Sequence, residues 1–189
     1  SLYEVLRKGR LILRSKLRFG LSIHDFYQPA EDVTRIALDW LDSKPVPEKV
    51  PFYLYLHYMD THDPFMDHNN PGHGYARASL GNQVDPILEA PMRNAYITEI
   101  EYMDHHIAAL IEGLKARGLY DNTLIVLTAD HGEEFYDHEG WWHGYTLYDE
   151  MVFVPILLKL PQGKHAGTRN DGLARHIDLP PTILHFAGL

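Results

Sequence analysis

An α/β fold, with a mostly parallel sheet flanked by helices, is what this sequence predicts. Three observations carry that expectation. Amphipathic helical stretches alternate with short apolar runs along the chain, the pattern of repeated strand–helix units. The apolar runs at 52–58, 123–127 and 154–160 have few polar interruptions, as in strands covered on both faces. Polar, histidine-bearing clusters begin where the first two runs end, and in such sheets ligands bind beyond the carboxyl ends of strands.

The first 30 residues read as a basic segment ahead of the body, which covers 31–189. Arg7, Lys8, Arg10, Arg14, Lys16 and Arg18 stand against Glu4, with Val5, Leu6, Ile12, Leu13 and Leu17 interleaved. That pattern suits an amphipathic helix, solvated or packed on the domain, with a membrane surface or an anion as the alternative contact. Residues 31–41 read as a helix, because Val33, Ile36, Ala37, Trp40 and Leu41 make one apolar stripe. The proline-rich connector Pro45 to Pro51 ends it, and 52–58 follow as a buried strand. From Asp60 to Pro91 the chain is rich in Gly, Pro, Asn, Asp and His, a loop of a length that is usually functional or mobile. A long helix over 92–117 places Ile97, Ile100, Met103, Ile107, Leu110, Ile111 and Leu114 on one face, and Gly118 stops it. Asp121-Asn122 turn into the second buried strand, 123–127. The third, Val154 to Leu160, tolerates Pro155 near its start. Asp178 to Ala187 close the chain as a helix, with Asp178 at the N-cap and Pro180-Pro181 in the first turn.

Composition excludes several classes. At 45% hydrophobic and 23% charged residues the chain is globular in character. No apolar run approaches the roughly 18–20 residues of a membrane span. Cysteine is absent, so any metal is held by oxygen and imidazole ligands. The net charge is −9, yet residues 1–20 carry +5, which leaves about −14 on the rest. So acidic a body argues against nucleic acid as a partner. Compartment stays open, with a periplasmic or extracellular parent favoured over a cytoplasmic one.

Nine of the 13 histidines lie between 57 and 143, in the segment that holds three polar clusters. Asp130-His131-Gly132-Glu133-Glu134 sits at the mouth of a strand, where a carboxylate and an imidazole can grip one divalent cation. The alternative is a capping Asp130 beside a surface His131. In His57-Tyr58-Met59-Asp60-Thr61-His62, His62 is the better functional candidate because it lies in the loop beyond the strand. In His138-Glu139-Gly140-Trp141-Trp142-His143-Gly144, the paired tryptophans predict a loop packed over a pocket. There His143 is either a donor to an anionic substrate or a structural residue. No Gly-x-Ser-x-Gly elbow and no glycine-rich phosphate loop occurs.

Together these stretches resemble the sulfatase family of the alkaline phosphatase superfamily. The matching pieces are Pro51 to Phe65, Leu127 to Glu133, Gly144 to Glu150, Val154 to Leu158 and Ile177 to Leu184, in register over roughly residues 30–189. The resemblance implies an alkaline-phosphatase-like fold, here a catalytic domain incomplete at its N-terminus. It also implies that Asp130 and His131 ligate a divalent cation, usually Ca2+, with Mg2+, Mn2+ and Zn2+ as alternatives. His62 then matches the histidine that contacts the sulfate or the leaving-group oxygen. His143 stands near a position where many members have a lysine that binds sulfate.

The family nucleophile, a formylglycine made within Cys/Ser-x-Pro-x-Arg, and an Asp-Asp pair that completes the metal site are expected upstream; neither motif occurs in these 189 residues. The expectation is therefore a sulfuric ester hydrolase whose substrate is a sulfate ester of a small molecule or glycan. By itself this polypeptide is expected to be inactive and weak in metal affinity. A phosphonate or phosphodiester hydrolase, or a phosphoethanolamine transferase of the same superfamily, is the nearest alternative. A non-catalytic binding module using the same pocket is a more distant one. Removing part of a sheet leaves edges and apolar faces, so self-association is a further expectation.

Overall fold

The computed structural model describes residues 28–43 and 51–189. The basic stretch expected as an amphipathic helix lies outside the described residues, as does most of the Pro45 to Pro51 connector. The elements are α1 (Ala30–Ser43), β1 (Phe65–Met66), β2 (Gly74–Tyr75), α2 (Arg77–Leu80), α3 (Glu89–Ala116), β3 (Ile125–Thr128), β4 (Glu134–Phe135), β5 (Trp141–Trp142), α4 (Asp149–Val152), β6 (Ile156–Lys159) and α5 (Leu179–Ala187). They fall into two units, one running to Gly113 and the other from Leu114 to Leu189. No helix among the described residues is long and apolar enough to cross a membrane.

In the first unit the expected stripe of α1 forms, with Ala30, Thr34, Ala37 and Leu41 buried. Its first N–H, from Ala30, is capped from a distance by Asp60 Oδ1 at 2.8 Å. Thr34 hydroxyl donates to His106 O at 3.0 Å, so its oxygen is left to accept from the Tyr58 hydroxyl at 2.8 Å. The predicted long loop is ordered by α3. Glu99 Oε1 accepts Met66 N–H at 2.7 Å, Thr98 Oγ1 accepts His68 N–H at 3.1 Å, and Glu99 Oε2 holds His68 Nε2 at 2.8 Å. The His68 ring stacks on Tyr102, centroids 4.3 Å apart.

The expected apolar face of the long helix holds in its later turns, where Leu114 is buried and Met103, Ile107, Leu110 and Ile111 are half-buried, and is corrected in its earlier ones. Ile97 and Ile100 are 45% and 40% exposed, whereas Met92, Ala95, Thr98 and Glu99 are buried. The polar pair faces inward because the backbone N–H groups of 66 and 68 need buried acceptors. Burial pushes the Glu99 and Asp60 carboxyls above their ordinary range, and raises the Tyr58 hydroxyl likewise.

Residues 52–58, expected as a buried strand, are not assigned to a sheet. Their exposure alternates, with Tyr53 and Tyr55 70% and 54% exposed while the intervening Phe52, Leu54 and Leu56 are half-buried. The period of two is that of a strand with one covered face.

In the second unit β3 pairs with β6, antiparallel, from Ile125↔Lys159 to Thr128↔Ile156. The other described pairs, β1–β2 and β4–β5, are antiparallel as well. The mostly parallel sheet is thus not seen among the described residues. The apolar runs suggested strands covered on both faces, yet Leu127, Leu157 and Leu158 are 36%, 57% and 44% exposed. Two strands alone cannot cover both faces of a ladder.

Gly118 ends α3 as expected, at φ +64°. Leu119 N–H reaches Leu114 O at 3.0 Å and Gly118 N–H reaches Lys115 O at 3.0 Å, the two bonds of a Schellman turn. Lys159 then ties β6 to the entry of β3, its ammonium donating to the carbonyls of Tyr120, Asp121 and Thr123 and lying 4.1 Å from the Tyr120 ring centroid. At α5, Pro180 and Pro181 occupy the first turn as predicted. Asp178 does stand at the N-cap, but its carboxylate accepts Arg175 N–H at 2.9 Å instead of capping α5.

Candidate active site

β3 delivers the chain to its first cluster. Beyond Thr128 the backbone passes under α4, and Gly132 N–H donates to Met151 O at 2.8 Å. A Cβ on Gly132 would stand 1.9 Å from Glu150 O, so only glycine fits. The reason is closeness of approach, not the special turn geometry a glycine can adopt.

This anchoring sets the side chains of Asp130 and His131. His131 Nδ1 lies 2.7 Å from Gly132 O. A carbonyl only accepts, so Nδ1 carries the proton and Nε2 of the neutral ring presents its lone pair. Nε2 stands 3.8 Å from Asp130 Oδ1, and Asp130 is 79% exposed. Ligand atoms at about 2.0–2.5 Å from one cation have separations of this size. The pair therefore fits a divalent cation, as two of its ligands. Asp130 Oδ1 also accepts His131 N–H at 3.1 Å, so the local turn of the capping alternative coexists with this arrangement.

The third cluster is built by the β4–β5 hairpin. Trp141 and Trp142 are 5% and 1% exposed, so the loop is packed as predicted. Each such side chain contributes roughly 2–3 kcal/mol by leaving water. Gly140 sits against the Glu134 carboxylate, where a Cβ would lie 2.4 Å from Oε1. Glu134 in turn accepts Gly140 N–H and the Thr146 hydroxyl, each at 3.1 Å. His143 leaves this hairpin with Nδ1 3.0 Å from Glu133 Oε2. Glu133 is buried, and its carboxylate accepts a hydrogen bond from His143 Nδ1. The His131 and His143 rings lie 4.4 Å apart.

Asp130, His131 and His143 line one cavity of about 400 Å³, together with His176 and with Leu147 and Val152 as apolar wall. Sequence reasoning had placed the first three near a site but not His176. That residue comes from the turn before α5, and no local pattern marks it. A second group, Glu134, His138 and Glu150, has three ligand-type atoms within 4.8 Å of one another. His138 Nδ1 is already bonded to Glu150 at 2.6 Å and its ring stacks on Tyr148 at 3.7 Å, while Glu134 accepts from Gly140 and Thr146.

His62 belongs to the first unit. Its Nδ1 donates to Asp63 O at 2.8 Å, and its backbone N–H closes a turn onto Met59 O at 3.0 Å. Asp60, two residues earlier, fixes this turn to the start of α1.

Comparison with known proteins settles the family. The family model described as Sulfatase matches residues 20–189. The chain belongs to the sulfatase family. Among its curated relatives is an N-acetylglucosamine-6-O-sulfatase of Bacteroides thetaiotaomicron, 32% identical over 94 residues, which are 50% of this chain and 17% of the relative. The multifunctional alkaline phosphatase superfamily protein PehA of Trinickia caryophylli is 32% identical over 127 residues, 66% of this chain and 24% of that protein. Lipoteichoic acid synthase of Staphylococcus aureus is 29% identical over 149 residues, 75% and 21% of the two chains. The chain thus spans a quarter or less of these relatives. Among solved structures, Ps i-CgsB in complex with k-i-k-neocarrahexaose matches with TM-score 0.59 at 22% identity, covering 98% of this chain and 42% of that one. That likeness concerns the fold alone; with the family match it supports an alkaline-phosphatase-like α/β fold for this sulfatase chain.

Proposed function

We propose that this chain is the portion of a sulfuric ester hydrolase that supplies part of the metal site and the imidazoles, with the nucleophile coming from a segment upstream. The observation that carries this reading is the Asp130–His131 pair, whose donor atoms stand 3.8 Å apart at the cavity His143 also lines. A divalent cation bound there would stabilise negative charge on the ester oxygens. Gly132 O holds the His131 ring in the tautomer that offers Nε2. Glu133 fixes the His143 ring through Nδ1, and His143, which lines the cavity, serves as a donor to the substrate. Such donors, fixed before the reaction, stabilise the charge that develops as the S–O bond breaks. For His62 the role implied by the resemblance is contact with the sulfate or protonation of the leaving alcohol. Leu147 and Val152 give the cavity an apolar wall for the organic part of a sulfate ester, whether small molecule or glycan.

A second reading, hydrolysis or transfer at phosphorus, is favoured by the similarity to PehA and to lipoteichoic acid synthase. The test is turnover of an aryl sulfate beside the matching aryl phosphonate and phosphodiester by the full-length protein. Preference for the sulfate supports the first reading. Preference for either phosphorus ester moves the function to phosphoryl chemistry and leaves the metal pair in place.

A further inference from the structure

The geometry points to Glu99 as a positioning residue for His62, acting by clamping residues 66–68 of the loop that carries this imidazole onto α3. It rests on the role given above to His62 and adds the group that holds the loop in place.

His62 stands in a short span fixed at both ends. On one side Asp60 Oδ1 accepts Ala30 N–H at 2.8 Å, which ties the span to α1. On the other, Phe65 is fully buried and its ring meets Tyr96 of α3 edge-on, centroids 5.5 Å apart. Glu99 secures the next turn of the path twice, with Oε1 accepting Met66 N–H at 2.7 Å and Oε2 at 2.8 Å from His68 Nε2. Between these anchors the His62 ring is aimed against backbone, with Nδ1 2.8 Å from Asp63 O and the His62 N–H on Met59 O. Those bonds fix the ring relative to residues 59 and 63. Asp60 and Glu99 fix that backbone relative to the helices. Little slack lies between Met66 and Asp63, because the ring of Pro64 locks its φ and Phe65 is buried.

A carboxylate only 1% exposed is costly to place in a helix face where apolar residues would pack. An apolar residue at 99 would fill the space but leave Met66 N–H unpaired and His68 untethered. What Glu99 adds beyond packing is therefore the alignment of two loop residues on one rigid helix. Displacement of a reacting group by about 1 Å can lower a rate about a hundredfold, which is the scale on which such alignment acts.

The test is a double-mutant cycle in the full-length protein, read as single-turnover rate and KM on whichever of the aryl sulfate, phosphonate or phosphodiester it turns over fastest. Glu99→Ala should lower the rate about ten- to a hundredfold with KM little changed, and that loss should vanish in a His62→Ala background. Glu99→Gln keeps an acceptor for Met66 N–H and a partner for His68, so it should recover most of the rate. Leu41→Ala, which opens the core beneath α1, should lower the melting temperature and leave the rate unchanged. His68→Ala removes one of the two tethers at a half-buried position, and should give a smaller loss that likewise disappears with His62. A loss of equal size with and without His62, or no loss, overturns the inference and leaves the functional reading standing; the His68→Ala cycle decides this even where Glu99→Ala does not fold. If His62→Ala is as active as its parent, or the full-length protein hydrolyses none of the three esters, the reading itself falls and the inference with it.

Discussion

Gly132 shows how a single missing side chain shapes the site. Gly132→Ala would force the backbone of 150–151 away from the Asp130–His131 turn, since its Cβ would stand 1.9 Å from Glu150 O. Thermal melts should register a loss of at least about 1–3 kcal/mol, with calcium affinity of the chain falling alongside. Glu133→Ala removes the partner of His143 Nδ1. In the full-length protein it should lower kcat by about ten- to a hundredfold with little change in expression or melting profile. Asp60 supplies a pH-dependent prediction. Its carboxyl is buried, Oδ2 has no hydrogen-bond partner, and its pKa is raised by desolvation. A raised folded value means the protonated form is favoured by folding. The associated stability is present below the ordinary carboxylate range and is lost as pH rises through the folded pKa. The difference in Tm between Asp60→Asn and the natural chain should therefore move in the variant's favour from about pH 4 to about pH 7. A constant difference would show that Asp60 does not titrate in this range. The sequence displayed Asp130, His131 and His143, because polar residues after a strand stand out. It did not display Glu133 as the partner of His143, nor Glu99 as the partner of His68, since a carboxylate's target is a matter of three-dimensional contact.

At the scale of elements, Lys159 is the fastening between β6 and the loop that leads into β3. Lys159→Met keeps the aliphatic stem and removes the donors for the Tyr120, Asp121 and Thr123 carbonyls. It should cost about 1–3 kcal/mol in chemical denaturation, and a change within about 0.5 kcal/mol would show that water replaces the ammonium. The extents of α1, α3 and α5 were legible to within a few residues, because their stripes, proline and glycine signals are local. The inward face of the first half of α3 was not, because Glu99 and Thr98 are buried for the sake of backbone N–H groups at 66 and 68. Strand direction was not legible either. Apolar composition reports how far a strand is covered, and here it pointed to a parallel sheet, where β3 and β6 run antiparallel.

For the molecule as a whole, the family was legible because five short motifs keep their order along most of the chain, and the sulfatase match over residues 20–189 agrees with them. The substrate was not legible, since the chain spans a quarter or less of the curated relatives cited, and they differ in their chemistry. The central claim is that Asp130, His131 and the imidazoles act with a nucleophile that this chain does not contain. The most direct measurement is calcium-dependent turnover of an aryl sulfate by the isolated 189-residue chain and, in parallel, by the full-length protein and its Asp130→Ala variant. The account predicts no turnover by the isolated chain, turnover by the full-length protein, and a loss of at least about a hundredfold in the variant. Robust turnover by the isolated chain, or an Asp130→Ala protein as active as its parent, would contradict it.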